Sequence, residues 1–439
     1  MMPALVVALL SAVTPATPAT TALPVSPVLP VLQNGDRVVF LGDSITVAHT
    51  YGRWIEEYCK LRHPTWSLTF INAGIGGHTA FDGYNRIETD VVAQKPTVVF
   101  VNFGMNDSSY PPGTDGAAFE KYMGLILDRL HDVGVRSVVW LDPSPYDVDG
   151  IGPGGWNGKR DEKLEKLAQY AHDEGARRHL VVVPWHQTVN DALASWKAAK
   201  RNKDKDTRLM PDRIHPNPLA HAVMAATALR AMGEDVSSSA LTGKLAGGKL
   251  KVDGVGAFDW DAKLPLVMDV SAVKAPLPMV VDAKDALDLG NPDVIALRRL
   301  LLRLEGLPGD AHYRVKLGEV DAGRFSSSEL ARGVDLLASA VPRLEPPKDL
   351  RPTLGECTST TGDPFLNDTW CLFDMLFEKD QLRIAMRNEK VRALPDFVPD
   401  RLEKYLTFQG DWIAAVEQEI ENRAKATRTA PHTMTISVE

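Results

Sequence analysis

Residues 38–47 read VVFLGDSITV: Val38, Val39, Phe40 and Leu41 without a polar break, then Gly42, Asp43 and Ser44, then Ile45, Thr46 and Val47. A strand with one wet face alternates apolar and polar residues, so an unbroken apolar run predicts a strand buried on both faces. The tripeptide that closes it is turn chemistry, because Gly, Asp and Ser are common turn residues. Ser44 is therefore either a turn residue capping the next helix or a reacting group.

The stretch from about Asn34 to Gly233 repeats this design. Strand-length apolar runs begin at Arg37 (RVVFLG), Leu68 (LTFINAG), Val98 (VVFVNFG), Ser137 (SVVWLDPSP) and Leu180 (LVVVPW). Between them GRWIEEYCKLR, NRIETDVVAQK, AAFEKYMGLILDRLHDVG and KRDEKLEKLAQYAHDEGA place apolar residues at helical spacing. Strand and helix in alternation predict an α/β fold with a parallel sheet between helices. Past Gly233 the Ser- and Gly-rich SSSALTGKLAGGKLKVDGVG marks a boundary. KLKVDG, LRRLLLRLEGLPG and HYRVKLGEV then alternate as half-buried strands do, predicting a small, mostly β domain. From about Pro346 a tail follows with helical segments such as GDWIAAVEQEIENRAKATR. The expected division is 31–235, 245–345 and 346–439.

A chain of 439 residues is too long for one ordinary core, which agrees with that division. A net charge of -8 gives no electrostatic reason to expect nucleic acid or an anionic membrane surface as partner. Residues 1–22 combine a short apolar stretch, Pro3 to Val13, with small residues after it, and read as a signal peptide that lacks a basic start, since Arg37 is the first Lys or Arg. The apolar part is shorter than the roughly 20 residues a spanning helix needs. The protein is expected to be secreted or periplasmic. Of three cysteines, Cys357 and Cys371 are spaced to close a small loop or to remain as two buried thiols, and Cys59 sits in a helical pattern. No Cys or His spacing resembles a zinc site.

In open α/β sheets ligands bind at the carboxyl ends of the strands. Three polar stretches fall there: GDSI with Ser44, NAGIGGHT with Gly77, and FGMND with Asn106. A fourth, PDRIHP, brings Asp212 and His215 just ahead of a helical run, with Pro216 suited to a first helical position. Acyl transfer needs this set of residue types. A serine hydroxyl is a weak nucleophile until an imidazole takes its proton, and His215 is the candidate base. A carboxylate at the other ring nitrogen holds the tautomer, and Asp212 lies three residues away. The tetrahedral oxyanion needs donors fixed in advance, which Ser44 N–H, Gly77 N–H and the Asn106 side-chain amide can supply.

These four blocks, in this order, resemble the SGNH or GDSL hydrolase family. The resemblance covers about the first half of the chain and implies a flavodoxin-like three-layer α/β/α sandwich, a Ser44–His215–Asp212 triad, and neither metal nor cofactor. His78 departs from it, since many relatives carry Asp there. A bare GDS tripeptide turns up by chance in roughly one chain in ten of this size, so the weight rests on the four blocks together. The second half is similar, more loosely, to accessory β regions that follow such domains in some secreted bacterial members.

GxSxG is absent, which leaves the α/β-hydrolase elbow without a candidate. His49 reads as a surface histidine, Ser144 as loop, and Asp107 as a brace of the Asn106 turn through backbone hydrogen bonds. Tyr110, Tyr146 and Trp156 lie on polar loops at the same sheet edge and are candidates to stack on a sugar ring. The expected activity is a serine esterase on small acyl esters, with acetylated carbohydrate as substrate by family resemblance. Alternatives are a lipolytic or general carboxylesterase, and a glycan- or surface-binding protein with weak hydrolysis.

Overall fold

The computed structural model describes residues 29–109, 116–149, 159–204, 207–271, 273, 283–309, 311–318, 320–338, 375–376, 379–380, 413–422, 424–425 and 432–439. The expected signal segment, Tyr110, Trp156, Cys357 and Cys371 lie outside the described residues.

In chain order the first region runs β1 (Arg37–Gly42), α1 (Ser44–Ala48), α2 (Thr50–Arg62), β2 (Thr69–Gly74), α3 (Ala80–Asn85), α4 (Ile87–Asp90), β3 (Val98–Asn102), α5 (Ala117–Asp132), β4 (Ser137–Leu141), α6 (Lys159–Arg178), β5 (Val181–Val183), α7 (Trp185–Ala198) and α8 (Pro218–Ala231). The five strands make one parallel sheet in the order β2-β1-β3-β4-β5. The unbroken run of β1 has its explanation in two cores. Val38 and Phe40 enter one with side chains of α2, α7 and α8, while Val39 and Leu41 enter the other with side chains of α3, α5 and α6. All four are fully buried, and each such burial contributes about 1.5–3 kcal/mol. The chain leaves β1 for β2 on one side and returns for β3 on the other, so the crevice of this flavodoxin-like order opens at the carboxyl ends of β1 and β3.

The stretch NRIETDVVAQK is not one helix. α3 and α4 break at Arg86, whose guanidinium donates to Gly42 O at 2.9 Å and Ala73 O at 2.6 Å, and a 3-10 turn over Val92–Gln94 follows α4. Anchoring that side chain in the sheet edge fixes its backbone where a continuous helix would carry it away.

The second region contains β6 (Ser239–Ala246), β7 (Lys249–Val252), β8 (Gly256–Asp259), β9 (Leu266–Asp269), α9 (Ala283–Leu289), α10 (Pro292–Arg298), β10 (Leu300–Glu305), β11 (His312–Leu317), β12 (Val320–Ser326), α11 (Ser327–Arg332), β13 (Val334–Asp335) and β14 (Thr433–Val438). Two sheets, β13-β10-β6-β7-β8 and β12-β11-β14-β9, share a core that includes Leu241, Leu302 and Leu304 from the first and Tyr313, Val315 and Ile436 from the second. β6 and β10 pair in parallel, the other described strand pairs of these sheets antiparallel. Residues 413–422 are helical, as expected of the tail. The helices α9 and α10 interrupt the β region, and their Ala286, Leu289, Val294 and Leu297 pack into the first region's core beside α7 and α8, together with Leu376, Val416 and Ile420 of the tail.

Candidate active site

The register of the sheet brings three strand ends level, with Gly42 opposite Gly74 on one side and Asn102 on the other. A side chain on Gly42 would meet Asn102 O at 2.7 Å, and one on Gly74 would run into the backbone of Thr46 and Val47. Those absent side chains let α1 turn down against the sheet directly after β1. Asp43, not Ser44, caps the helix: its Oδ1 accepts from Ile45 N at 2.9 Å. Ser44 is the first residue of α1 and stays half-buried at the crevice.

His215 reaches it from the loop before α8. Its Nε2 lies 2.8 Å from Ser44 Oγ and its Nδ1 2.6 Å from Asp212 Oδ2. The other carboxylate oxygen of Asp212 accepts from His215 N at 2.7 Å and Ile214 N at 3.0 Å. Partial burial raises the Asp212 carboxyl, but the ring and the two backbone N–H groups outweigh it, and the net direction is down. Between them Arg213 holds φ at +74°, a conformation a non-Gly residue adopts only when its surroundings fix it. Here Asp147 N donates to Arg213 O at 3.0 Å, and Arg213 N to Met210 O at 3.1 Å. The helical start differs from the sequence expectation. Asn217 is the cap, accepting from Ala220 N at 2.9 Å, and Pro218 is the first helical residue, so Pro216 stays in the loop.

Gly77 has φ +79°, with nothing within 4 Å of where a Cβ would stand, so its backbone borders open space. Asn106 Nδ2 donates to His78 O at 2.9 Å and, more weakly, to Asp43 Oδ2 at 3.4 Å. Asp107 braces the turn as expected, accepting from Gly104 N at 3.0 Å, and also reaches across to Ala80 N at 3.1 Å. It thereby ties the Asn106 loop to the Gly77 loop. Burial pushes the Asp43 carboxyl up to about 7, opposed by the Ile45 N–H, reinforced by Asp107 and opposed again by His215. Burial likewise lifts Asp107 to about 6 against its backbone donors.

The structure brings Ser44, His215 and Asp212 into one hydrogen-bonded chain, with Gly76 of the second block close enough that a Cβ there would stand 3.9 Å from Ser44 Cβ. It does not bring Tyr146 to the rim. That ring is buried, with the guanidinium carbons of Arg160 and Arg213 at 5.2 and 5.9 Å from its centroid. His49 is likewise not a surface residue. It takes φ +55° between α1 and α2, and its ring stands edge-on to Phe40 at 4.6 Å. Burial, with Arg53 beside it, holds its pKa down to about 3. Ser144 is buried, apart from this chain of bonds. Sequence reasoning missed two supports, Asp43 beneath Asn106 and Arg86 beneath Gly42. The only signal for Asp43 was a good capping residue ahead of a short helix.

Residues 40–223 match the GDSL-like lipase/acylhydrolase family. They form a GDSL-like hydrolase domain. The protein is accordingly a carboxylic ester hydrolase. The chain is 27% identical over 224 residues to an acetylxylan esterase of Geobacillus stearothermophilus, a match covering 46% of this chain and 95% of that protein. It is 49% identical over 132 residues to an uncharacterized lipoprotein, YqeF, of Bacillus subtilis (strain 168), covering 28% of this chain and 49% of that protein. Among solved structures, a gut microbial diltiazem-metabolizing enzyme superposes with a TM-score of 0.68 at 22% identity, covering 94% of this chain and 99% of the other. That likeness extends the shared fold over both regions. Among the described residues no helix is long and apolar enough to cross a membrane, and no three His, Cys, Asp or Glu side chains are grouped to hold a metal ion.

Proposed function

We propose that this hydrolase cleaves small acyl esters, above all acetyl groups on carbohydrate, through an acyl-enzyme on Ser44. The observation that carries the reading is the continuous chain from Ser44 Oγ through the His215 ring to Asp212, with spacings of 2.8 and 2.6 Å. Ser44 Oγ attacks the carbonyl carbon while its proton passes to His215 Nε2. The C–O bond to the sugar then breaks, and the departing alkoxide takes that proton. Water, deprotonated by the same nitrogen, attacks the acyl-enzyme; the bond to Ser44 Oγ breaks, Oγ takes the proton back from His215, and acetate leaves. Asp212 holds the proton on Nδ1 throughout and stabilises the imidazolium, the task of a triad carboxylate.

The oxyanion is received by Ser44 N–H, Gly77 N–H and the Asn106 amide. At 3.4 Å the bond from Asn106 Nδ2 to Asp43 is the weaker of its two, so the oxyanion replaces that one. Each such donor contributes about 3 kcal/mol. Carbohydrate as the alcohol is supported by the likeness to an acetylxylan esterase across 95% of that protein. The proposal includes export of the mature chain, with the β-rich second region as a companion to the hydrolase domain. The test is acetate release from p-nitrophenyl acetate and from an acetylated polysaccharide by the parent and by Ser44→Ala. Loss of at least a thousandfold on both substrates is expected. Equal rates would remove Ser44 from the mechanism, and turnover of the aryl ester alone would remove carbohydrate from the substrate.

A further inference from the structure

Among the described residues the exposed large apolar side chains are Leu29, Phe81, Val148, Leu264, Val267 and Leu287. Phe81, 44% exposed, is the one aromatic ring in that set. Its place is not arbitrary. It is the second residue of α3, four beyond Gly77, and its neighbour Ala80 is bonded through N–H to Asp107, the residue next to Asn106. An exposed aromatic ring therefore stands on the first turn of the helix that follows the Gly77 loop, and Asp107 ties the start of that turn to the Asn106 loop.

That face is also held still. Thr79 and Asp82 form a reciprocal capping box at the start of α3, so the backbone that carries Phe81 is fixed by three hydrogen bonds and the Asp107 tie. From the neighbouring helix, Tyr122 of α5 meets the Phe81 ring edge to face, with centroids 4.9 Å apart. Lys121 lies over the Tyr122 ring at 5.0 Å, covering that ring and leaving Phe81 as the open one. Asn85, four residues on and so on the same side of the helix, is exposed and offers an amide beside the ring.

We infer that Phe81 is a stacking platform for a sugar ring of the substrate other than the one whose acyl group is at Ser44, with Asn85 meeting its hydroxyls. The inference rests on the carbohydrate reading above and specifies it: the enzyme takes an oligomer, and the second ring is read by an aromatic face. A rigid ring contributes its contact area without the entropy of ordering a flexible side chain, the economy that makes aromatic anchors effective. A sugar suits the place because its C–H face covers the phenyl ring while its edge hydroxyls reach the polar groups around it.

The experiment uses full-length Ser44→Ala protein, which binds without turnover, titrated calorimetrically with an acetylated xylo-tetraose and an acetylated methyl xyloside. Adding Phe81→Ala is expected to weaken the tetraose about tenfold, the scale of one aromatic contact, and the single sugar by less than twofold. Phe81→Leu, which keeps an apolar group packed on Tyr122, is expected to match Phe81→Ala, and Phe81→Tyr to match the parent. Tetraose binding unchanged in Phe81→Ala, or absent from the parent, overturns the inference, as does Leu serving as well as Tyr. Failure of the underlying reading looks different: the active parent then releases no acetate from any acetylated glycan, whatever the binding series gives.

Discussion

Asp212→Asn is the substitution whose outcome the geometry specifies most closely. Asp212 Oδ1 accepts from two backbone N–H groups, at 2.7 and 3.0 Å. In the variant only a carbonyl oxygen can occupy that position, so the amide NH2 is turned toward His215 Nδ1, where Asp212 Oδ2 stood at 2.6 Å. An N–H pointing at Nδ1 makes that nitrogen the acceptor and moves the ring proton to Nε2, which faces Ser44 Oγ at 2.8 Å. A ring already protonated there cannot take the serine proton. The loss combines a wrong tautomer with a missing countercharge and is expected to be about 10³ to 10⁴ in kcat, or roughly 4 to 5.5 kcal/mol. Asp212→Ala removes more of the side chain and should do less harm. The pair is about half exposed, so water reaches Nδ1, no tautomer is imposed, and the loss is nearer 10², on the order of 3 kcal/mol. The assay is kcat on p-nitrophenyl acetate for parent, Asn and Ala variants, with thermal melts to show that all three fold alike. An Asn variant as active as the Ala variant, or either within tenfold of the parent, would refute the reasoning.

Gly74→Ala should destabilise the chain by about 2–3 kcal/mol, because its Cβ meets the backbone of Thr46 and Val47 where no side chain can yield; urea denaturation reads it, and a cost below 1 kcal/mol would contradict the packing. Asp43 has its carboxyl raised by burial to about 7, so the folded state holds that proton longer than the unfolded chain. Its contribution to stability falls as pH rises from about 4 to about 7, and Asp43→Asn should gain on the parent over that window, by up to about 4 kcal/mol. Melting curves of both proteins that stay parallel with pH would rule this out. Lys379 donates to both carboxylate oxygens of Glu56 at 2.5 Å, with both side chains buried. Lys379→Met alone should cost about 3–5 kcal/mol by stranding the carboxylate, and adding Glu56→Gln should recover much of it. A double variant no more stable than the single one would show that the pair is not the cause.

The sheet was legible because its physics is local: each of the five runs is mostly apolar along its length, as a strand covered on both faces is, and helical stretches alternate with them. The candidate site was legible for a related reason, since the topology carries the ends of β1, β2 and β3 to one edge and each end bears a distinctive polar block. His49 was misread as a surface residue because the helix after Ser44 was expected to turn it away within a turn or two, and the left-handed backbone at that residue folds it inward instead. α7 went unread although Trp185, Val189, Ala192, Leu193 and Trp196 sit at helical spacing, because the apolar run of β5 leads straight into it. The pairing of β6 with β10 and of β14 between β11 and β9 joins segments far apart in sequence, and no local pattern encodes a partner. α9 and α10 were not read at all, because 245–345 was expected to be mostly β, and nothing local shows that this stretch packs into the first region's core.

The bond between Glu56 and Lys379 spans 323 residues. At the usual pace of synthesis, about 5 to 20 residues per second, the first half of this protein waits roughly 15 to 65 seconds before the residue that neutralises its buried carboxylate has been made. Through that interval the strip of α2 that will receive the tail is uncovered, a charge set among apolar neighbours. Until Lys379 is made, water must serve the Glu56 carboxylate in place of the ammonium, because an unpaired charge is costly to bury.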